Sequence, residues 1–242
     1  MALLGTGLVS FILLGLAQAI FGPALPVFQR QFGLDTAAAG WLISAFWVGC
    51  FLGVVGMYLG AGKLGPRPGL AASAIGAALL GIGVWWPLVL LGGVIFGAGY
   101  GALAAVFNPR ILSAFGSRGP SMMTLLNAVF SVGAIAAPLV FVWLGSEPKP
   151  TFLAIAALAA AIWLAAGPVS RAAVGAATGK GGFRLYWPIL VFGVLAIGME
   201  AALVGLGPTA LVRAGVEEVR AAQLLSLFYL AYLVARGVMV FF

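Results

Sequence analysis

Long stretches without charge alternate along this chain with short charged segments. Residues 1–29 hold no charged side chain, and neither do residues 36–62. Residues 68–109 are likewise uncharged and long enough for two crossings. The natural break is VWWP at 84–87, where Trp85 and Trp86 suit a membrane interface and Pro87 suits the first turn of the next helix. Further apolar segments follow at about 121–144, 151–168, 185–208 and 220–242. A helix needs about 20 apolar residues to cross a bilayer. The pattern therefore predicts an all-α polytopic membrane protein with about eight transmembrane helices. Barrel strands are much shorter and alternate polar with apolar, which excludes a β-barrel.

Composition sharpens this picture. Of 242 residues, 64% are hydrophobic and 7% are charged, and the mean hydropathy is +1.19. Soluble domains run at about 25% charged residues. The net charge of +7 would hint at nucleic acid on a soluble protein. Here the basic residues sit between apolar runs, so they set membrane orientation and no nucleic-acid partner is expected. There is no histidine, which removes His-based triads and His metal ligands, and the single cysteine, Cys50, makes neither a disulfide nor a zinc site. No metal and no cofactor is expected. The first apolar run is too long for a signal-peptide core and lacks a basic lead, so it reads as a retained first helix.

The linkers assign the two sides. Those after the second, fourth and sixth spans hold Lys63, Arg67, Arg110, Arg118, Arg171, Lys180 and Arg184, with no acid. Those after the odd spans hold Arg30, Lys149, Arg213 and Arg220, balanced by Asp35, Glu147, Glu217 and Glu218. The positive-inside rule puts the first set, and with it the N-terminus, in the cytoplasm. The expected location is the cytoplasmic (inner) membrane. The longest linker, SRAAVGAATGKGGFR at 170–184, separates six spans from the last two. Its GAATGKGG segment has the wrong glycine spacing for a phosphate loop, and Gly181 replaces the required Ser or Thr. The expected division is 1–168 as an N-terminal six-helix bundle, 169–184 as a cytoplasmic linker, and 185–242 as the first two helices of a second bundle.

A shift of 182 residues lays the first span on the seventh without a gap. Pro26 falls on Pro208, Gly33 on Gly215, Ser44 on Ser226 and Phe46 on Phe228. Asp35 falls on Glu217, and Gln18 on Glu200. Both copies start on the same side, so the repeat is parallel, as in carriers built from two six-helix halves. Residue 242 then corresponds to residue 60, and the chain reads as two-thirds of a twelve-helix protein.

Three segments carry a family resemblance. These are GAGYGALAAVFNP at 97–109, LLNAVFSVGAIAAPLV at 125–140, and GME at 198–200 followed by SLFYLAYLVAR at 226–236. They resemble the major facilitator superfamily of transporters, and within it the fucose-permease-type branch. The likeness extends over essentially the whole chain. It implies a secondary carrier in which helices 1, 4, 7 and 10 line a central cavity. It also implies gating by the loop between the second and third spans, where Lys63, Gly65 and Arg67 fit the family pattern and Gly62 stands in place of its Asp. An Arg common early in the fourth helix of proton-coupled members is replaced at about Gly93.

Glu200 is the sharpest single signal. An ionisable group near the bilayer centre costs roughly 2.5–3.5 kcal/mol, so it normally faces a cavity or a partner. It could carry a proton, accept hydrogen bonds from a polar substrate, or merely join two helices. Gln18, its repeat mate, is expected opposite it, with Gly15 and Gly22 on the same helical face. Tyr100, Asn108 and Asn127 are further candidates for the solute and proton pathway, and Gln223 is a weaker one. Asn108 is open between a cavity ligand and a packing bond. The ladder Gly93, Gly97, Gly101 predicts close helix packing. Arg110 reads as an anchor at the cytoplasmic end, and Arg236 as a snorkelling end residue; the resemblance gives Arg236 a gate role. Trp41, Phe46, Trp47 and Tyr229 are candidates for stacking on sugar-like rings, against the alternative that they face lipid or neighbouring helices.

The expected function is secondary transport of a small solute, a sugar or other polar organic molecule, by alternating access with proton coupling. The alternatives are proton-driven export of amphipathic compounds, or a truncated membrane protein acting through a partner. No nucleophile–base pair points to an enzyme.

Overall fold

The computed structural model describes residues 2–60, 64–167 and 186–238. The linker expected at 169–184 and Lys63 lie outside them. Among the described residues the chain is helical: α1 (Ala2–Ala19), α2 (Phe21–Phe32), α3 (Thr36–Leu59), α4 (Arg67–Ile82), α5 (Trp86–Ala114), α6 (Gly119–Trp143), α7 (Pro148–Ala165), α8 (Trp187–Arg213) and α9 (Glu218–Val238), with one 3-10 turn at Gly116–Arg118. Seven of these helices are long and apolar enough to cross a membrane, and α4, of 16 residues, is a shorter apolar helix. With α1 and α2 taken as one span, each of the eight predicted segments corresponds to a described helix, α4 being shorter than the other seven spans.

The first span is kinked. Pro23 has no N–H to offer the carbonyl of Ala19, and its ring crowds that turn. The helix bends at Ile20, where Ile20 N–H still reaches Leu16 and Ala24 N–H reaches Ile20. The repeat mate of Pro23 is Gly205, and α8 accordingly runs unbroken from Trp187 to Arg213. Starts are set by proline in the first turn of α4, α5, α6, α7 and α8, and by Asp35, whose side chain accepts from Ala38 N–H at 2.7 Å to cap α3.

The 182-residue repeat reappears in the backbone. Gly33 ends α2 at φ +63° and Gly215 follows α8 at φ +91°, both left-handed. Leu34 N–H bonds Gln29 O, and Val216 N–H bonds Leu211 O, the same bond one repeat later. Ala39 N–H to Asp35 O is likewise matched by Ala221 N–H to Glu217 O.

Small residues set the packing, because lipid gives helices no hydrophobic reason to associate and backbone proximity must supply the contact. The predicted glycine ladder lies on α3. A Cβ on Gly97 would strike the carbonyl of Phe46, one on Gly101 the carbonyl of Cys50, and one on Gly93 the side chain of Leu42. From the other side, Gly49 and Gly53 of α3 meet the carbonyls of Val94 and Ala98. Gly15 of α1 lies on Phe130 of α6, and Gly133 of α6 on Ile12 of α1. Helix α4 packs on α5 and α7, α9 on α6, and α8 on α2.

The junction of α8 with the rest is uneven. From Val204, 1% exposed, α8 is pressed on α2, where Gly22 abuts the Val204 carbonyl and Pro208. Before Glu200 it stands open, with Phe192 at 74% and Met199 at 66%. Beyond the closed half, Arg30 of α2 and Glu218 of α9 form a two-pronged ion pair, Nη1 with Oε1 and Nη2 with Oε2 at 3.0 Å. The α2, α3, α5 and α7 side of that half is filled by a ring cluster of Phe21, Phe28, Phe46, Phe96 and Phe152, with Phe21 and Phe46 centred 5.0 Å apart.

Candidate solute cavity

Four helices contribute to one polar chain. Tyr100 of α5 donates its hydroxyl to Gln18 Oε1 at 2.8 Å. The Gln18 amide of α1 donates Nε2 to Glu200 Oε1 of α8 at 2.8 Å. Tyr232 of α9 donates to Glu200 Oε2 at 3.2 Å. Each carboxylate oxygen thus receives one neutral donor and keeps further acceptor capacity. Gln18 and Glu200 are repeat mates touching each other, as residues near a two-fold axis do. The Tyr229 hydroxyl, on a side chain 0% exposed, lies beside Gln18 in this chain of groups, within electrostatic reach of Glu200, Tyr100 and Tyr232.

This chain forms one end of a cavity of about 270 Å³. Its lining includes Gln18, Tyr100, Asn108, Asn127 and Glu200, so all five side chains predicted for the pathway meet in one space. Apolar walls come from Phe11, Leu14, Trp47 and Phe130. Asn108 Oδ1 is buried and accepts no hydrogen bond among the described residues. Asn127 turns its Nδ2 to Met123 O, one turn back on α6, at 2.9 Å. On the far side of Gln18 the space narrows to about 10 Å³, bounded by Phe21, Phe46, Trp47 and Val204. That is about room for one water. The cavity therefore ends at the Gln18–Glu200 bridge on the side of Arg30 and Glu218.

The remaining candidates lie elsewhere. Gly65 is buried, and Arg67 stacks its guanidinium 5.0 Å over the Trp163 ring of α7. The side chain of Arg236 lies outside the described residues. Gln223 is exposed and takes no part in the site. Arg110, near the end of α5, is 7% exposed and donates to Leu64 O at 3.0 Å, tying α5 to the segment between α3 and α4. Among the described residues no cluster of His, Cys, Asp and Glu could hold a metal ion.

The sequence reading missed Tyr232. Of the four aromatics weighed between stacking and packing, Trp41 is 65% exposed, Phe46 and Tyr229 are buried between helices, and Trp47 lines the cavity. The available signal was the repeat. Trp47 and Tyr229 are mates one position after the matched Phe46 and Phe228, and Tyr232 follows Tyr229 by three residues, on the same helical face.

Known proteins agree with this architecture. The sequence profile of the Major Facilitator Superfamily matches residues 7–241. An uncharacterized MFS-type transporter of Yersinia pestis is 26% identical over 169 residues, 65% of this chain. The match spans 43% of that relative's length, less than half. A helical membrane chain with a parallel internal repeat, a cavity at the repeat junction and a family match over nearly its whole length belongs to the Major Facilitator Superfamily.

Proposed function

We propose that the protein is a secondary transporter that carries a small organic solute across the cytoplasmic membrane by alternating access, with proton coupling through Glu200. The observation that carries this reading is the Gln18–Glu200 bond. It closes one end of a cavity of about 270 Å³ with the only carboxyl group among the described lining residues. Residues 1–168 act as one bundle and 185–242 belong to the second, joined by the basic linker 169–184. The basic loops assign the open end to the cytoplasm. The cavity then faces inward, and the Arg30–Glu218 pair is the outer closure. The two resembling segments 97–109 and 125–140 supply Tyr100, Asn108, Asn127 and Phe130 to the lining, which supports a solute site shared with that branch.

The mechanism follows from the geometry. Protonation of Glu200 removes the charge that holds Gln18 and Tyr232, so the bridge between α1 and α8 loosens. Solute arriving from the cytoplasmic end competes for the same oxygens. Rocking of the two bundles about this midplane site then exposes it to the other side. The test is transport in everted and right-side-out vesicles with an imposed pH gradient. A Glu200→Gln protein is expected to lose the pH dependence. Unchanged pH dependence in that variant overturns the coupling role.

A further inference from the structure

We infer that the cavity takes an organic cation: a protonated amine carried on an aromatic or otherwise apolar body. This rests on the carrier reading above and names its solute class. Among the described lining residues there is no Lys or Arg, and the one charge there is the Glu200 carboxylate. The buried guanidinium of Arg110 donates to Leu64 O in the α3–α4 segment and is not among the lining residues. Both donors to Glu200 are neutral, an amide and a phenol, so they leave its charge uncancelled. A second acceptor, Asn108 Oδ1, is buried in the same wall without a donor among the described residues. The described lining therefore combines an uncancelled negative charge with an unfilled acceptor, which favours a guest that brings N–H groups and positive charge.

The walls fit the rest of such a guest. Trp47 and Tyr100 meet edge to face, their centroids 6.1 Å apart at 71°, beside Glu200. Ring faces next to a carboxylate attract an ammonium group. Phe11, Leu14 and Phe130 offer apolar surface for the body of the molecule. An anion would meet Glu200 with no compensating cation among the described lining residues.

The test compares three molecules of one shape on the purified full chain by titration calorimetry at neutral pH: 2-phenylethylammonium, 2-phenylethanol and 3-phenylpropionate, with glucose as a fourth probe. The expected result is that the cation binds about ten-fold tighter than the alcohol or more, the size of one good charge-assisted contact, and that the anion and glucose bind no better than the alcohol. Glu200→Gln is expected to bring the cation down to the level of the alcohol. Equal binding of cation and alcohol, preference for glucose, or no binding of the cation overturns the inference, and the unaltered chain alone decides this if the variant fails to fold. Counterflow in proteoliposomes separates the two readings. A cation that binds without being carried defeats the carrier reading and leaves the site's chemistry standing, whereas carriage of glucose with the cation ignored does the reverse.

Discussion

Gln18 and Glu200 stand 182 residues apart in sequence and 2.8 Å apart in space, each the other's counterpart in the internal repeat. Their bond joins α1 to α8 at the place where the cavity closes. A hydrogen bond to a charged group contributes about 1.5–3 kcal/mol. Removing the amide by Gln18→Ala should therefore lower thermal stability by about that amount. In a Glu200→Gln background the same change should cost much less. A double-mutant cycle of melting temperatures in one detergent checks this; additive losses would mean that the two side chains do not act together.

The α3–α5 seam depends on bare backbone. Gly97→Leu puts a side chain where the Phe46 carbonyl lies, and overpacking of this kind costs roughly 1–3 kcal/mol. Gly56, on the same α3, is different: a Cβ there would meet nothing within 4 Å. Gly56→Ala should leave stability unchanged or raise it by up to about 1 kcal/mol, since alanine is the better helix former. Thermal unfolding of both variants is the measurement, and equal losses would contradict the packing.

Backbone strain gives a cleaner case. Gly33 and Gly215 both have positive φ and open space around the absent Cβ. Gly33→Ala and Gly215→Ala are each expected to destabilise by about 1 kcal/mol through conformation alone. The losses should add in the double variant, which equilibrium unfolding reads directly.

The Arg30–Glu218 pair joins the two repeats beyond the closed end, with side chains 59% and 35% exposed. Exposed pairs are worth about 0–1 kcal/mol. Glu218→Gln should therefore shift the inward–outward balance only up to about five-fold. In a Cys50→Ser background, an Ala201→Cys thiol in the narrow passage reports this as faster labelling by an impermeant maleimide added from the outer side. Combining Arg30→Glu with Glu218→Arg should restore the slow rate, since the pair is exposed on a common face.

Much of this protein is legible in its sequence because a bilayer leaves few choices. Uncharged runs of span length must be helices that satisfy their own backbone. Proline and glycine then mark where those helices start, bend and stop, as at Pro87, Pro23 and Gly33. Glu200 pointed to a cavity or a partner for the same reason, since an ionisable group in lipid is costly without one. The repeat even paired Gln18 with it. Which way a helix turns was not readable along the chain. Helical segments apolar on every side have no polar face to orient them, so Trp41 and Trp47 look alike in sequence. Tertiary packing separates them, leaving Trp41 outside and bringing Trp47 to the cavity. The same packing turned Arg110 inward to Leu64, brought Tyr232 to Glu200 across two helices, and paired Arg30 with Glu218. These contacts depend on helix rotation and on distances between segments far apart in sequence, which the order of residues along one helix does not encode.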